Sequence, residues 1–322
     1  MSANQKAIEY LESNEYDKSL DLFHEAVRES RNVQSLNNLA WIYLHEECDK
    51  ETALTLIKEA IELNPSSHFP YNILGEIYVE KEMWQQAADA LNQSLIIHPS
   101  NEAYNNLAIA KYHLGQIQEA SDFFLQCSRN SDYAMYSHVK CLIELGRKIE
   151  AKKKLDVFSE DDDDFVGDVE VAELYLELGC FNESIYWFEK GWGQYWKTPD
   201  WVSRFVYALC KTQNENRARD ILNEVIQQKI EEIKEAHEDD CDEDWTEREK
   251  EEHIKQLLDE EKEYEHMFEK ISLGFIPSME FNTSMSSGCY LFGCKRHNHP
   301  EYQEFDESSP SGIGAIRLCQ LV

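Results

Sequence analysis

Between Tyr71 and Asp132 apolar residues recur at steps of three and four, break at a turn, and resume. That is the period of amphipathic helices folded into hairpins. One hairpin carries Tyr71, Leu74, Gly75, Tyr78, Ala87, Leu91 and a closing Pro99; the next carries Tyr104, Leu107, Ala108, Lys111, Ala120, Phe124 and Cys127. Pro65 and Pro99 lie 34 residues apart, as do Ala53 and Ala87. A fixed spacing of this length marks a tandem array. Gly115, Gly146 and Gly179 stand where a first helix ends and the chain must turn, a position that tolerates left-handed backbone. Pro65 and Pro99 stop the second helix of their hairpins.

The same pattern extends in both directions. Residues 34–65 make a clear unit with Leu39, Ala40, Tyr43, Ala53, Ile57 and Ala60, and one extra residue in the turn at Glu46–Lys50. Residues 4–31 read as a unit that has lost most of its first helix, with Tyr16, Ser19, Phe23 and Ala26 on the second and Asn14 at the turn. Further units fall at 133–158, at 168–192 and, in degenerate form, at about 199–228. Trp187, Trp192, Trp196 and Trp201 crowd the last junction, where a stack buries its large residues first. Ser159–Asp168 is an acidic loop between units.

These residues resemble the tetratricopeptide repeat over about 4–228: a large residue, Leu-Gly, Tyr, then Ala, Phe and Pro across about 34 positions. The resemblance implies an all-α, right-handed superhelical solenoid of about seven hairpins. It also implies a concave groove that holds an extended peptide or a helix. The matching groove positions are Asn38, Asn72, Asn105 and Asn106, followed by Tyr136, Lys140 and Arg204. An asparagine amide both donates and accepts, so a ladder of them grips main chain with little demand on side chains. The Lys, Asn and Arg set with which some members hold a chaperone's C-terminal carboxylate is incomplete, and Glu76, Glu80, Glu170, Glu173 and Glu177 would repel such an anion.

Beyond the solenoid, taken as residues 1–230, the chain changes character. Residues 231–270 hold nineteen acidic against six basic side chains. Thr246 and Glu249 form a capping-box pattern, and Ile254, Leu257, Leu258, Tyr264, Met267, Phe268 and Ile271 then share one face. Residues 231–272 are therefore expected to be an acidic connector and a helix that caps the open end of the array. Residues 273–322 form an irregular module broken by Pro and Gly; Tyr290, Leu291 and Phe292 suit a short strand, and Ile313–Val322 is apolar enough to dock.

Charge narrows the partner. The 322 residues carry 63 acidic and 31 basic side chains, a net charge of -32, which disfavours nucleic acid and anionic membrane. It suits a basic protein or peptide, approached by electrostatic steering. Nine scattered cysteines without a framework, a polar amino terminus and no membrane-length apolar run point to a soluble cytoplasmic protein. Cys289, Cys294, His297 and His299 offer two thiolates and two imidazoles, a donor set for zinc, though in no standard finger spacing. The acidic runs 160–164 and 238–244 lack the alternating ligands and glycine of a calcium loop. No nucleophile elbow, phosphate loop or His-Glu-x-x-His is present.

The expectation is a non-enzymatic interaction scaffold that holds a basic protein segment in its groove. One alternative is an acidic immunity-type inhibitor that masks a cationic toxin or enzyme. Another is a metal- or thiol-dependent catalytic module in the tail, targeted by the repeats.

Overall fold

The computed structural model describes residues 2–128, 131–159, 165–239, 241, 245–279, 281 and 283–303. The acidic run 160–164, most of 240–244 and the segment Ile313–Val322 lie outside these. The described residues form fifteen helices and no strand. They gather into two compact units, one of residues up to Gln116 with the stretch from Met285, the other Ile117–Ser284. None of these helices is long and apolar enough to cross a membrane.

The first unit contains α1 (Ala3–Glu12), α2 (Tyr16–Glu29), α3 (Val33–His45), α4 (Lys50–Glu62), α5 (Phe69–Glu80), α6 (Trp84–Ile97) and α7 (Asn101–His113). The second contains α8 (Ile117–Cys127), α9 (Asp132–Glu144), α10 (Lys148–Leu155), α11 (Asp168–Leu178), α12 (Phe181–Gly191), α13 (Pro199–Lys211), α14 (Glu215–Glu238) and α15 (Glu247–Ser272).

A small residue recurs in the second helix of each pair: Ser19, Ala53, Ala87, Ala120, Ala151, Ser184 and Ala218, all fully buried. Four residues on, Phe23, Ile57, Leu91, Phe124, Leu155, Phe188 and Leu222 fill the space that the small residues open. Seven left-handed turn residues match these seven second helices: Asn14, Cys48, Glu82, Gly115, Gly146, Gly179 and Gln213. The next amide closes each turn by reaching five residues back, as from Met83 to Tyr78 O at 2.8 Å. At the extra residue of the second turn the reach lengthens by one, from Asp49 to Tyr43 O.

Two local expectations change. The first helix of the first pair is present: Ala3–Glu12 has ten residues and a Ser2–Gln5 capping box, and it buries Ala7 and Ile8. Its apolar stripe is short because only one neighbour covers it within the array, which hides it from a periodicity search. Tyr290–Phe292 forms no strand; its backbone partners are side-chain amides rather than another strand.

In the second unit α15 packs along α14 and α13, burying Ile254, Leu257, Tyr264, Met267 and Ile271, with the charges on its other faces. Lys229 is buried between Glu232 (2.7 Å) and Glu260 (2.8 Å) with its ammonium 5.0 Å from the Trp196 ring. Trp192 and Trp201 pack edge to face with each other and against Phe188 and Phe205. Trp196 is largely exposed.

The two helices of the third pair meet tightly at Gly75, where an added Cβ would stand 2.5 Å from Leu91 Cδ2. Gly75→Ala is expected to cost about 2 kcal/mol through overpacking, read as a lower urea midpoint. An unchanged midpoint would mean that the pair is not held at this distance.

Candidate functional site

The first helices of the pairs in the first unit place side-chain amides in a row. Asn37 and Asn38 on α3, Asn72 on α5, and Asn105 and Asn106 on α7 are all buried. The chain's own residues 286–292 lie along them. Asn38 takes both main-chain groups of Phe292, accepting from its N–H at 2.9 Å and donating to its carbonyl at 2.9 Å. Asn106 does the same for Ser286, at 2.9 and 2.7 Å. Between them Asn37 donates to Tyr290 O (2.7 Å) and the Trp41 indole to Gly288 O (3.0 Å). Further on, Gln34 accepts from the Tyr302 amide at 2.8 Å and donates to the Glu301 carboxylate.

Amides suit this place because a buried peptide group left unpaired is costly, and a neutral donor–acceptor pair satisfies it without bringing a charge out of water. Asn105 donates to Asn106 Oδ1 at 3.3 Å, which orients its neighbour. Asn72 accepts from Ser94 Oγ. The tail's side chains are held as firmly: Tyr290 and Phe292 stack against Phe69, whose ring centre lies 5.6 and 4.8 Å away. Below them Glu76 is fully buried with His45 Nε2 at 3.3 Å. Burial raises the Glu76 carboxyl above the ordinary range against the pull of His45.

In the second unit Arg204 donates to Glu173 (2.5 Å) and to the Ser278 carbonyl (2.8 Å). Lys140 pairs with Glu177 at 2.6 Å, and its ammonium sits 5.9 Å from the Phe281 ring, which also meets Tyr136 at 5.8 Å. A cleft of about 390 Å³ opens here, with Tyr133, Tyr136 and Trp201 beside Glu170, Glu173 and Asp200. Burial outweighs Arg204 and pushes the Glu173 carboxyl up to about 7; burial also raises Glu170.

At the other end of the tail, Cys289 Sγ, Cys294 Sγ and a ring nitrogen of His297 lie within 4.8 Å of one another. His299 is placed differently: its Nδ1 is 3.1 Å from Leu291 O, and its ring packs on Phe69.

The sequence reading did not single out Gln34, Asn37, Trp41, Glu12 or the His45–Glu76 pair. The doublets Asn37-Asn38 and Asn105-Asn106, at equivalent places in two units, were the available signal for Asn37. Nothing local marks Glu12, which matters only through a residue 282 positions away.

Two predictions follow from this geometry. Asn38→Ala leaves both Phe292 groups unpaired, at a cost of about 2 kcal/mol or more. Amide exchange of residues 286–294 should accelerate while α4 and α6 stay protected; equal exchange would mean that Asn38 does not hold the segment. For Glu173 the folded state keeps its proton to higher pH than the unfolded chain. The carboxyl's contribution to stability is therefore present below about 4.5 and lost as pH rises through about 7. Denaturant titrations should show wild type losing stability relative to Glu173→Gln across that interval, whereas a constant difference would contradict it.

A family model for the Chs5p-Arf1p-binding proteins matches residues 7–116. No curated protein sequence matches the chain. Among solved structures, a tetratricopeptide repeat protein from Parabacteroides merdae is similar at 18% identity and a TM-score of 0.54, covering 81% of this chain and 97% of that one. PilW, a widely conserved type IV pilus biogenesis factor, is similar at 18% identity and a TM-score of 0.50, covering 60% and 92%. With seven buried small positions, seven left-handed turns and these structural relatives, the fold of this chain is that of the tetratricopeptide-repeat proteins.

Proposed function

We propose that this chain is a non-enzymatic protein-interaction scaffold whose asparagine-lined groove holds extended main chain, and whose partner is a basic protein segment. The observation that carries this reading is the two-point grip repeated at Asn38 and Asn106, which depends on the backbone of the held segment and hardly on its sequence. The resident segment 286–292 fills that groove in the free chain, so an incoming segment competes with it or docks beside it. The net charge of -32 supports a basic partner. So does the cleft of the second unit, where carboxylates and aromatic faces together suit a lysine or arginine side chain. The Chs5p-Arf1p-binding proteins are named for binding other proteins, which accords with a protein partner here. An inhibitor that masks a cationic protein is a special case of the same reading, favoured by the charge alone.

The test is binding of the full-length chain to arrays of basic, neutral and acidic decapeptides at two salt concentrations. Basic peptides are expected to bind best, to weaken steeply with salt, and to lose about tenfold or more in affinity when Glu170→Gln and Asp200→Asn are combined. Binding that ignores peptide charge would overturn the basic partner; no binding of any extended peptide would overturn the groove.

A further inference from the structure

Residues 289–299 fold into a compact knuckle against the amino-terminal helix. Gly293 adopts a left-handed conformation (φ 85°), as does Asn298 (φ 55°). The turn is closed by Cys294 N–H to Leu291 O (3.3 Å) and His299 N–H to Cys294 O (2.8 Å). This folding brings Cys294 Sγ to 3.4 Å from His297 Nδ1. Cys289 joins them from the strand-like approach, and α1 brings Glu12 Oε1 to 3.8 Å from Cys294 Sγ.

The three donors of Cys289, Cys294 and His297 lie at the spacing of ligands around one metal ion, and Glu12 stands beside Cys294 alone. Zinc–sulfur bonds of about 2.3 Å and zinc–nitrogen or zinc–oxygen bonds of about 2.0 Å place neighbouring ligand atoms about 3.5 Å apart, and two sulfurs a little farther. We propose that Cys289, Cys294 and His297 bind a structural zinc ion, with the Glu12 side chain swinging in from beside Cys294 as the fourth ligand, so that the metal fastens the tail to α1. Two thiolates, an imidazole and a carboxylate suit zinc above magnesium or calcium, which prefer oxygen alone. With Glu12 as the fourth ligand no open position would remain, which is the arrangement of a structural site rather than a catalytic one. His299, the fourth ligand that spacing alone suggests, holds Leu291 O through Nδ1 and does not join the three clustered donors.

Glu9 lies on the same helix as Glu12 and pairs with Lys295 of the knuckle at 2.8 Å. The adjoining cavity, about 410 Å³, is lined by Ile8, Leu11 and Trp41 as well as by the ligands, and it would shelter the thiolates from bulk water on one side. Zinc binding would then be tail docking, because the ligands come from α1 and from residues 289–297 and only the docked state assembles them.

The experiment is metal analysis of the full-length chain purified under reducing conditions, followed by zinc competition against a chromogenic chelator. One zinc per chain is expected. His297→Ala, at an exposed position that should not disturb folding, and Cys289→Ser should each weaken binding about a hundredfold or more; Glu12→Gln should weaken it about tenfold. Cobalt substituted into the site should give a thiolate-to-metal charge-transfer band that Cys289→Ser diminishes. Substoichiometric metal after reduction and zinc addition would overturn the proposal. So would peptide mapping of the protein that finds Cys289 and Cys294 joined by a disulfide resistant to reduction. A Glu12→Gln protein with unchanged zinc affinity would remove Glu12 from the site.

Discussion

The structure of the first unit depends on one requirement: an extended peptide buried among helices must find partners for its own N–H and C=O groups. A β-sheet would supply them from another strand, but a helix spends its backbone groups on itself. Only side chains are left to answer, and asparagine is the smallest that carries a donor and an acceptor on separate atoms. The regular helix pairs set where those amides stand. The amides then decide that the tail runs extended past them, and the aromatic residues Tyr290 and Phe292 fill the space over Phe69.

Much of the helical array could be read from spacing. Ala53, Ala87 and Ala120 marked the tight approach of paired helices, and Asn14 marked a left-handed turn, because local sterics leave few residues able to serve there. The first helix was harder to read, since an end helix needs a shorter apolar stripe. The extended tail was hardest. Its partners lie about 180 to 290 positions away in sequence, and periodicity, which compares neighbours, has nothing to say about such pairings. Tyr290–Phe292 has the composition of a strand because burial selects it, and the sequence does not reveal that amides rather than a strand lie opposite.

The two units handle polar groups by different means. In the first, neutral amides dominate the interior contacts, and the one fully buried carboxyl among the described residues, Glu76, is held high in pKa beside His45. In the second, ion pairs do much of the work: Arg204 with Glu173, Lys140 with Glu177, Lys229 with two glutamates. Solvent salt and pH therefore act unequally on them. An amide grip changes little with either, whereas a half-sheltered carboxyl near neutrality responds to both.

The tail's docking also has a consequence for synthesis. The helix pairs contact mainly their neighbours, so each can form as it leaves the ribosome. Residues 286–302, however, pair with positions between Glu9 and Asn106, and the two ends of the Lys295–Glu9 pair are 286 residues apart. Until residues 286–302 have been made, the amides of α3 and α7 face an empty groove. During that interval the first unit is a receptor without its own segment, open to any extended peptide in its surroundings, and it closes only when a segment made some 180 residues after α7 arrives.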